Sequence, residues 1–332
     1  MTIDTSMPRA GRRLAAALAA GAVLAGGAGL AEAQSRLTLK SAASTSSYYV
    51  MTVQRAEMLR AESDGAILPT VEESQGSVQN VMEAGRRPGG FLFTTPPNLL
   101  DDAWAGAEPF HEGGGDYDGI RTLFPMPFIT IHFVVRADSG IESVADLAGT
   151  TFIAGGTGTF CATQTEAVLD LLGLSGDITA PEMELSGAPA ALRNQQADGY
   201  ATCSSHPTPQ VQELASTLDI RILSFSEEER AEIIEQYPTA GPITIAAGTY
   251  AGIDEDIETV AVPVGAYGTN IDDETAGFIV EQFWAQRDAL AEENPWWAGV
   301  ESGLIGQLRA PLHPGAASFY EEQGIDIPDE MR

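Results

Sequence analysis

Five Ser/Thr/Gly-rich stretches carry no charged side chain: residues 41–49, 74–80, 94–98, 155–165 and 202–209. In a chain with 19% charged residues such stretches are places to look for ligand chemistry. Each follows an expected strand or opens an expected helix. Helix N-termini present unbonded N–H groups and a partial positive charge, which suits a carboxylate or a phosphate. In open α/β sheets the ligand crevice lies at the carboxyl ends of the strands, where these stretches fall. Any one of them reads as an ordinary turn or N-cap. The five together read as the walls of one polar cleft.

Catalytic and metal chemistry find less support. His111, His132, His206 and His313 are scattered, without metal-ligand spacing, and no nucleophile elbow is present. Residues 155–159 lack the Lys-Ser/Thr of a phosphate-binding loop and do not fit a dinucleotide fingerprint. Asp116 and Asp118 lack the other ligands of a calcium loop. The reading is therefore no enzyme, no metal and no cofactor. Cys161 and Cys203 are too far apart for a redox motif. In an oxidising compartment they either pair or remain two buried thiols.

The elements that must position these stretches alternate short apolar runs with amphipathic helices, an α/β pattern. Strands are expected at 37–40, 91–93, 128–136, 151–154, 200–203, 220–225 and 260–266. A helix from Tyr48 is expected to bury Tyr49, Val53 and Ala56. Another carries Val168, Leu171 and Leu172 and stops at Gly173. A helical last third has a stripe of Ala276, Ile279, Val280 and Phe283. Residues 108–119, with Gly113, Gly114 and Gly115, read as a surface loop.

Residues 1–33 read as an export signal: Arg9, Arg12 and Arg13, then an apolar run at 14–30, then Ala31-Glu32-Ala33 as a cleavage site. The product would be periplasmic and not membrane-embedded. About 300 remaining residues exceed what one core usually supports, so two lobes are expected. The formal charge of −30 disfavours nucleic acid and anionic lipid as partners.

The motifs in order resemble one family. They are residues 134–141 with 144–149, 209–215 with 219–221, 247–250 with 260–263, and 311–320 ending in Ser318-Phe319-Tyr320. The chain resembles the TAXI group of TRAP-transporter solute receptors over essentially all of residues 34–332. The resemblance implies a periplasmic-binding-protein-like (type II) α/β fold, a two-lobe Venus flytrap with the cleft between lobes. Lobe I would be 35–133 with 264–332, and lobe II 134–263. It implies capture of a small carboxylate for a sodium-driven TRAP permease. A ligand sensor for a signalling partner, or the binding protein of an ABC importer, would have the same architecture.

The family's ligand positions carry over to Ser44, Thr45, Ser46, Tyr48 and Tyr49 in the first loop, where hydroxyl side chains replace the usual glycines. They carry over to Ser77 and Asn80 in the second loop and to Thr94 and Thr95 in the third, where the usual acid is missing. Gly158 and Thr159 open a helix, and Ser204 and Ser205 end a strand. The missing acid predicts a non-aminated ligand: an oxo acid, a hydroxy acid or a dicarboxylate. The same alignment places Cys161 and Cys203 at cleft-facing ends of lobe II, close enough to pair.

Overall fold

The computed structural model describes residues 34–110 and 115–332. The expected export segment, His111, Gly113 and Gly114 lie outside the described residues. The first part of the chain alternates strand and helix: β1 (Ser35–Lys40), α1 (Ser47–Glu62), β2 (Ile67–Glu72), α2 (Ser77–Ala84), β3 (Gly90–Thr95) and α3 (Pro97–Ala105). There follow β4 (Arg121–Arg136), β5 (Phe152–Ile153), α4 (Phe160–Leu171), α5 (Ala188–Arg193), β6 (Gly199–Ser204), α6 (Pro209–Ala215), β7 (Ile220–Leu223), α7 (Glu227–Gln236) and β8 (Gly241–Ile245). The chain closes with β9 (Ile257–Thr269), α8 (Asp273–Glu293) and α9 (Pro314–Glu322).

The sheet order is β2-β1-β3-β9-β4-β6-β5, with β7 also on β4 and β8 also on β9. β1 pairs in parallel with β2 and β3, as crossover helices require. The two long strands β4 and β9 run antiparallel to each other and pass from one lobe into the other. Along their length they serve different cores. Leu123, Phe124 and Met126 of β4, with Val264, Ala266 and Tyr267 of β9, belong to one core with α1, α8 and α9. Farther along β4, side chains alternate by the strand period of two. Ile131, Phe133 and Val135 enter a second core on one face, and Val134 enters a third on the other. The β4–β9 register slips between Met126 and Ile129, which places an irregularity where the strands leave one lobe.

Two sequence expectations are corrected. β4 begins at Arg121, well before residue 128. The buried face of α1 is Tyr48, Met51, Thr52, Arg55, Ala56 and Leu59; Tyr49 and Val53 are only half-buried. Arg55 is folded inward at 1% exposure, its Nε donating to Met51 O at 3.3 Å and its Nη2 to Thr52 Oγ1 at 3.0 Å.

Candidate functional site

A cavity of about 490 Å³ lies between the lobes, and all five charge-free stretches contribute to its wall. On the first lobe, three loops are tied together behind it. Asn80, 1% exposed, donates from Nδ2 to Ser41 O at 2.9 Å and to Thr94 O at 3.3 Å. Its Oδ1 accepts from Ser74 Oγ at 2.7 Å. Both N–H groups and the carbonyl are therefore engaged by the protein, so Asn80 shapes the wall. Gly76, at φ +120°, precedes α2, whose first-turn N–H groups have no helical partners.

On the second lobe, Thr159 caps α4 by accepting the Ala162 N–H at 3.1 Å. The N–H groups of Phe160 and Cys161 follow in the first turn, so two helix N-termini, one per lobe, border the same space. Cys161 and Cys203 form a disulfide, with Cα atoms 5.3 Å apart, and both line the cavity. Gly155 makes room for it: a Cβ there would stand 2.6 Å from Cys161 Sγ, at a φ of +107°.

The lobes meet at the start of α1. Ser204 Oγ lies 2.9 Å from Ser46 Oγ and 2.6 Å from Ser47 Oγ, and accepts the Ser47 N–H at 3.2 Å. Ser47 Oγ also donates to Ser205 O at 2.9 Å, and the Gln210 N–H donates to Thr45 O at 3.2 Å. The Tyr48 hydroxyl donates to Pro127 O, and burial raises its pKa strongly, so it stays a neutral donor. Ser204→Ala should therefore weaken the joint between lobes, costing about 1–2 kcal/mol of stability. Urea unfolding checks the cost, and an unchanged midpoint would refute it.

Thr45, Ser46, Tyr48, Ser77, Asn80, Thr94, Thr159 and Ser204 line the cavity. Ser44 is exposed and contributes its N–H to Glu73 Oε1 at 2.7 Å. Tyr49, Thr95 and Gly158 do not reach the cavity; Thr95 Oγ1 donates to Pro96 O at 3.2 Å. Ser205 turns away and donates to Phe128 O at 2.8 Å.

Thr202 also belongs to the wall; in the sequence its stretch stood out but the residue itself did not. Thr94 and Thr202 are 4% and 2% exposed, line the cavity, and have no side-chain hydrogen bond among the described residues. Neither hydroxyl is among the fully enclosed unpartnered side-chain atoms, so both open onto the cavity with their donor and acceptor capacity free for a ligand. The wall contains no Lys, Arg or His; its only carboxylates are Glu73 and Glu184, both exposed. Among the described residues no group of three or more His, Cys, Asp or Glu could hold a metal ion, and no helix is long and apolar enough to cross a membrane.

Two lobes, two strands crossing between them and a cavity at the crossing, lined by hydroxyl-bearing and apolar side chains, define a periplasmic-binding-protein fold. The chain matches the model of the NMT1-like family over residues 39–324 and belongs to that family. The structure is similar to that of the periplasmic binding protein BugD, at a TM-score of 0.54 and 12% identity, covering 88% of this chain and 99% of that one. A substrate-binding protein of an ABC uptake transporter from Streptococcus pneumoniae, solved with bound histidine, matches at a TM-score of 0.49 and 14% identity, covering 82% and 95%. The alkanesulfonate-binding protein SsuA from Xanthomonas axonopodis pv. citri, bound to MOPS, matches at 0.45 and 17%, covering 90% and 95%.

Proposed function

We propose that this chain is an exported, non-catalytic receptor that captures a small carboxylate-bearing solute in the inter-lobe cavity and delivers it to a membrane importer. The observation that carries this reading is the cavity itself: two helix N-termini and two unpartnered hydroxyls that open onto it, one of each per lobe, around a space without a basic side chain. Backbone N–H groups then bind the anion, and Thr94 and Thr202 hydrogen-bond the solute. Lobe I would be residues 35–133 with 264–332, and lobe II 134–263, closing by a hinge in β4 and β9.

Two partners fit. The sequence motifs support a sodium-driven TRAP permease. The family match names no TRAP-specific group, and the two-lobe architecture suits an ABC importer at least as well. Uptake by vesicles carrying the partner permease separates them: dependence on a sodium gradient supports the first, dependence on ATP the second.

The site is tested with Thr94→Val and Thr202→Val, which keep shape and remove a hydroxyl. In a thermal-shift screen of organic acids, binding to the native state raises the melting temperature. Each variant should lose about 1–3 kcal/mol of affinity for any hit. Unchanged affinity in both would reject the assignment.

A further inference from the structure

The two acids of the cavity wall differ from the pair of glutamates packed beside the first of them. Glu72 and Glu83 are neutralised: Lys40 Nζ lies 3.6 Å and 3.0 Å from them, and Arg87 bonds to both. Glu73 and Glu184 have no such cation. The Glu73 carboxylate accepts only the Ser44 N–H, and the Glu184 carboxylate has neither hydrogen bond nor ion pair among the described residues. One stands on the loop after β2, in the first lobe. The other stands just before α5, in the second. Both border the same cavity, and both are exposed, whereas Thr94 and Thr202 are buried. The cavity is therefore polar in the electrical sense, with neutral donors at its floor and two carboxylates at its mouth.

We propose that the solute carries a cationic group several bonds away from its carboxylate, and that Glu73 and Glu184 close on that group from opposite lobes. This rests on the carboxylate reading above and departs from the sequence expectation of a non-aminated ligand, because Glu73 and Glu184 supply acids that the third loop lacks. With its carboxylate on the buried donors, an α-amino acid keeps its ammonium only one carbon away, short of the two exposed acids. A dicarboxylate of the same length brings its second anion to the two glutamates, which repel it. An ω-amino or ω-guanidino acid meets both ends correctly. Selectivity comes from the repulsion as much as from the attraction. It also lets the cation favour the closed state, because only closure brings both acids to it.

Calorimetry on the purified protein tests this with 4-aminobutyrate, 5-aminopentanoate and 6-aminohexanoate against succinate, glutarate and adipate. At least one ω-amino acid should bind about 10-fold or more tightly than the dicarboxylate of its length, with the preference shrinking as salt screens the mouth. The double replacement Glu73→Gln/Glu184→Gln should erase that preference while the protein keeps its melting temperature, both residues being exposed. Dicarboxylates binding as tightly as the ω-amino acids, or a preference that survives the double replacement, would overturn the proposal. Failure of every member of both series to bind would remove the carboxylate reading, and the proposal with it.

Discussion

Replacing both Cys161 and Cys203 by serine lowers the free energy of unfolding by about 4 kcal/mol, the loop-closure entropy for a bridge of this span. The two residues are 42 apart in sequence, and that long loop is what the bridge removes from the unfolded ensemble. A second effect is local. Cys161 lies in the first turn of α4, and Cys203 is the next-to-last residue of β6, beside Ser204. The bond thus fastens the cavity-facing N-terminus of α4 to the strand that meets α1 across the lobes. Without it, the N–H groups of α4 lose their fixed aim at the cavity, and affinity falls together with stability. Urea unfolding of the native protein with and without reductant, beside the double variant, reads the first effect. A midpoint indifferent to reductant would refute it.

Gly155 is tied to the same bridge. Its φ of +107° and the 2.6 Å between Cys161 Sγ and any Cβ placed on Gly155 leave no room for a side chain. In the sequence Gly155 is one of a run of glycines that lacks the residues of a phosphate-binding loop. Which of them mattered depended on a sulfur six residues later, and the bare sequence left the cysteines' state open. Other parts were legible for plain reasons. The strand from Ile131 to Val135 shows as an apolar run broken only by His132 because it is buried on both faces. The same strand was hidden at its start because Pro125 and Pro127 read as strand breakers. Pro125 is tolerated beside Gly265, close to the register slip. The face of α1 was misjudged because Thr52 and Arg55, polar in type, are the residues turned inward.

The charge-free stretches pointed to the loops that line the cavity without separating contact from support. Asn80 and Thr94 both sit in such stretches, yet Asn80 directs its polar atoms to neighbouring loops while the Thr94 hydroxyl bonds to none. That difference lies in tertiary hydrogen bonding, which composition does not encode. Glu73 and Glu184 were missed for the opposite reason. In a chain with 47 acidic residues an acid carries little signal, until the structure shows which of them border the cavity.

Acidification from pH 6.5 to pH 4.5 removes about 2–3 kcal/mol of stability through one side chain, His132. Its ring is fully buried in β4, with Nδ1 3.1 Å from Thr130 O and Nε2 2.9 Å from the Tyr250 hydroxyl. The Tyr250 oxygen already accepts the Thr208 N–H at 3.0 Å. A neutral ring fits this arrangement: Nδ1–H donates to the carbonyl, and Nε2 accepts the tyrosine proton. A second ring proton would turn that acceptor into a donor. Burial, helped by the neighbouring His206, holds the His132 pKa down to about 3 from its ordinary 6.5. The folded value lies below the unfolded one. Well above pH 6.5 the ring is neutral in both states, and its contribution is present in full. As pH falls through 6.5 the unfolded chain gains a proton that the native chain refuses, and stability drains at about 1.4 kcal/mol per unit until the native ring protonates near 3. His206, its pKa also lowered by burial, acts in the same direction. Protonation of carboxylates near pH 4 relieves the repulsion of an overall charge of −30 and works the other way. The difference in pH slope between the native protein and His132→Gln, taken from pH 6.5 to about 5, isolates the histidine. Ring nitrogen shifts in NMR give the direct reading: His132 should remain neutral at about pH 5, and a titration centred near 6.5 would refute the assignment.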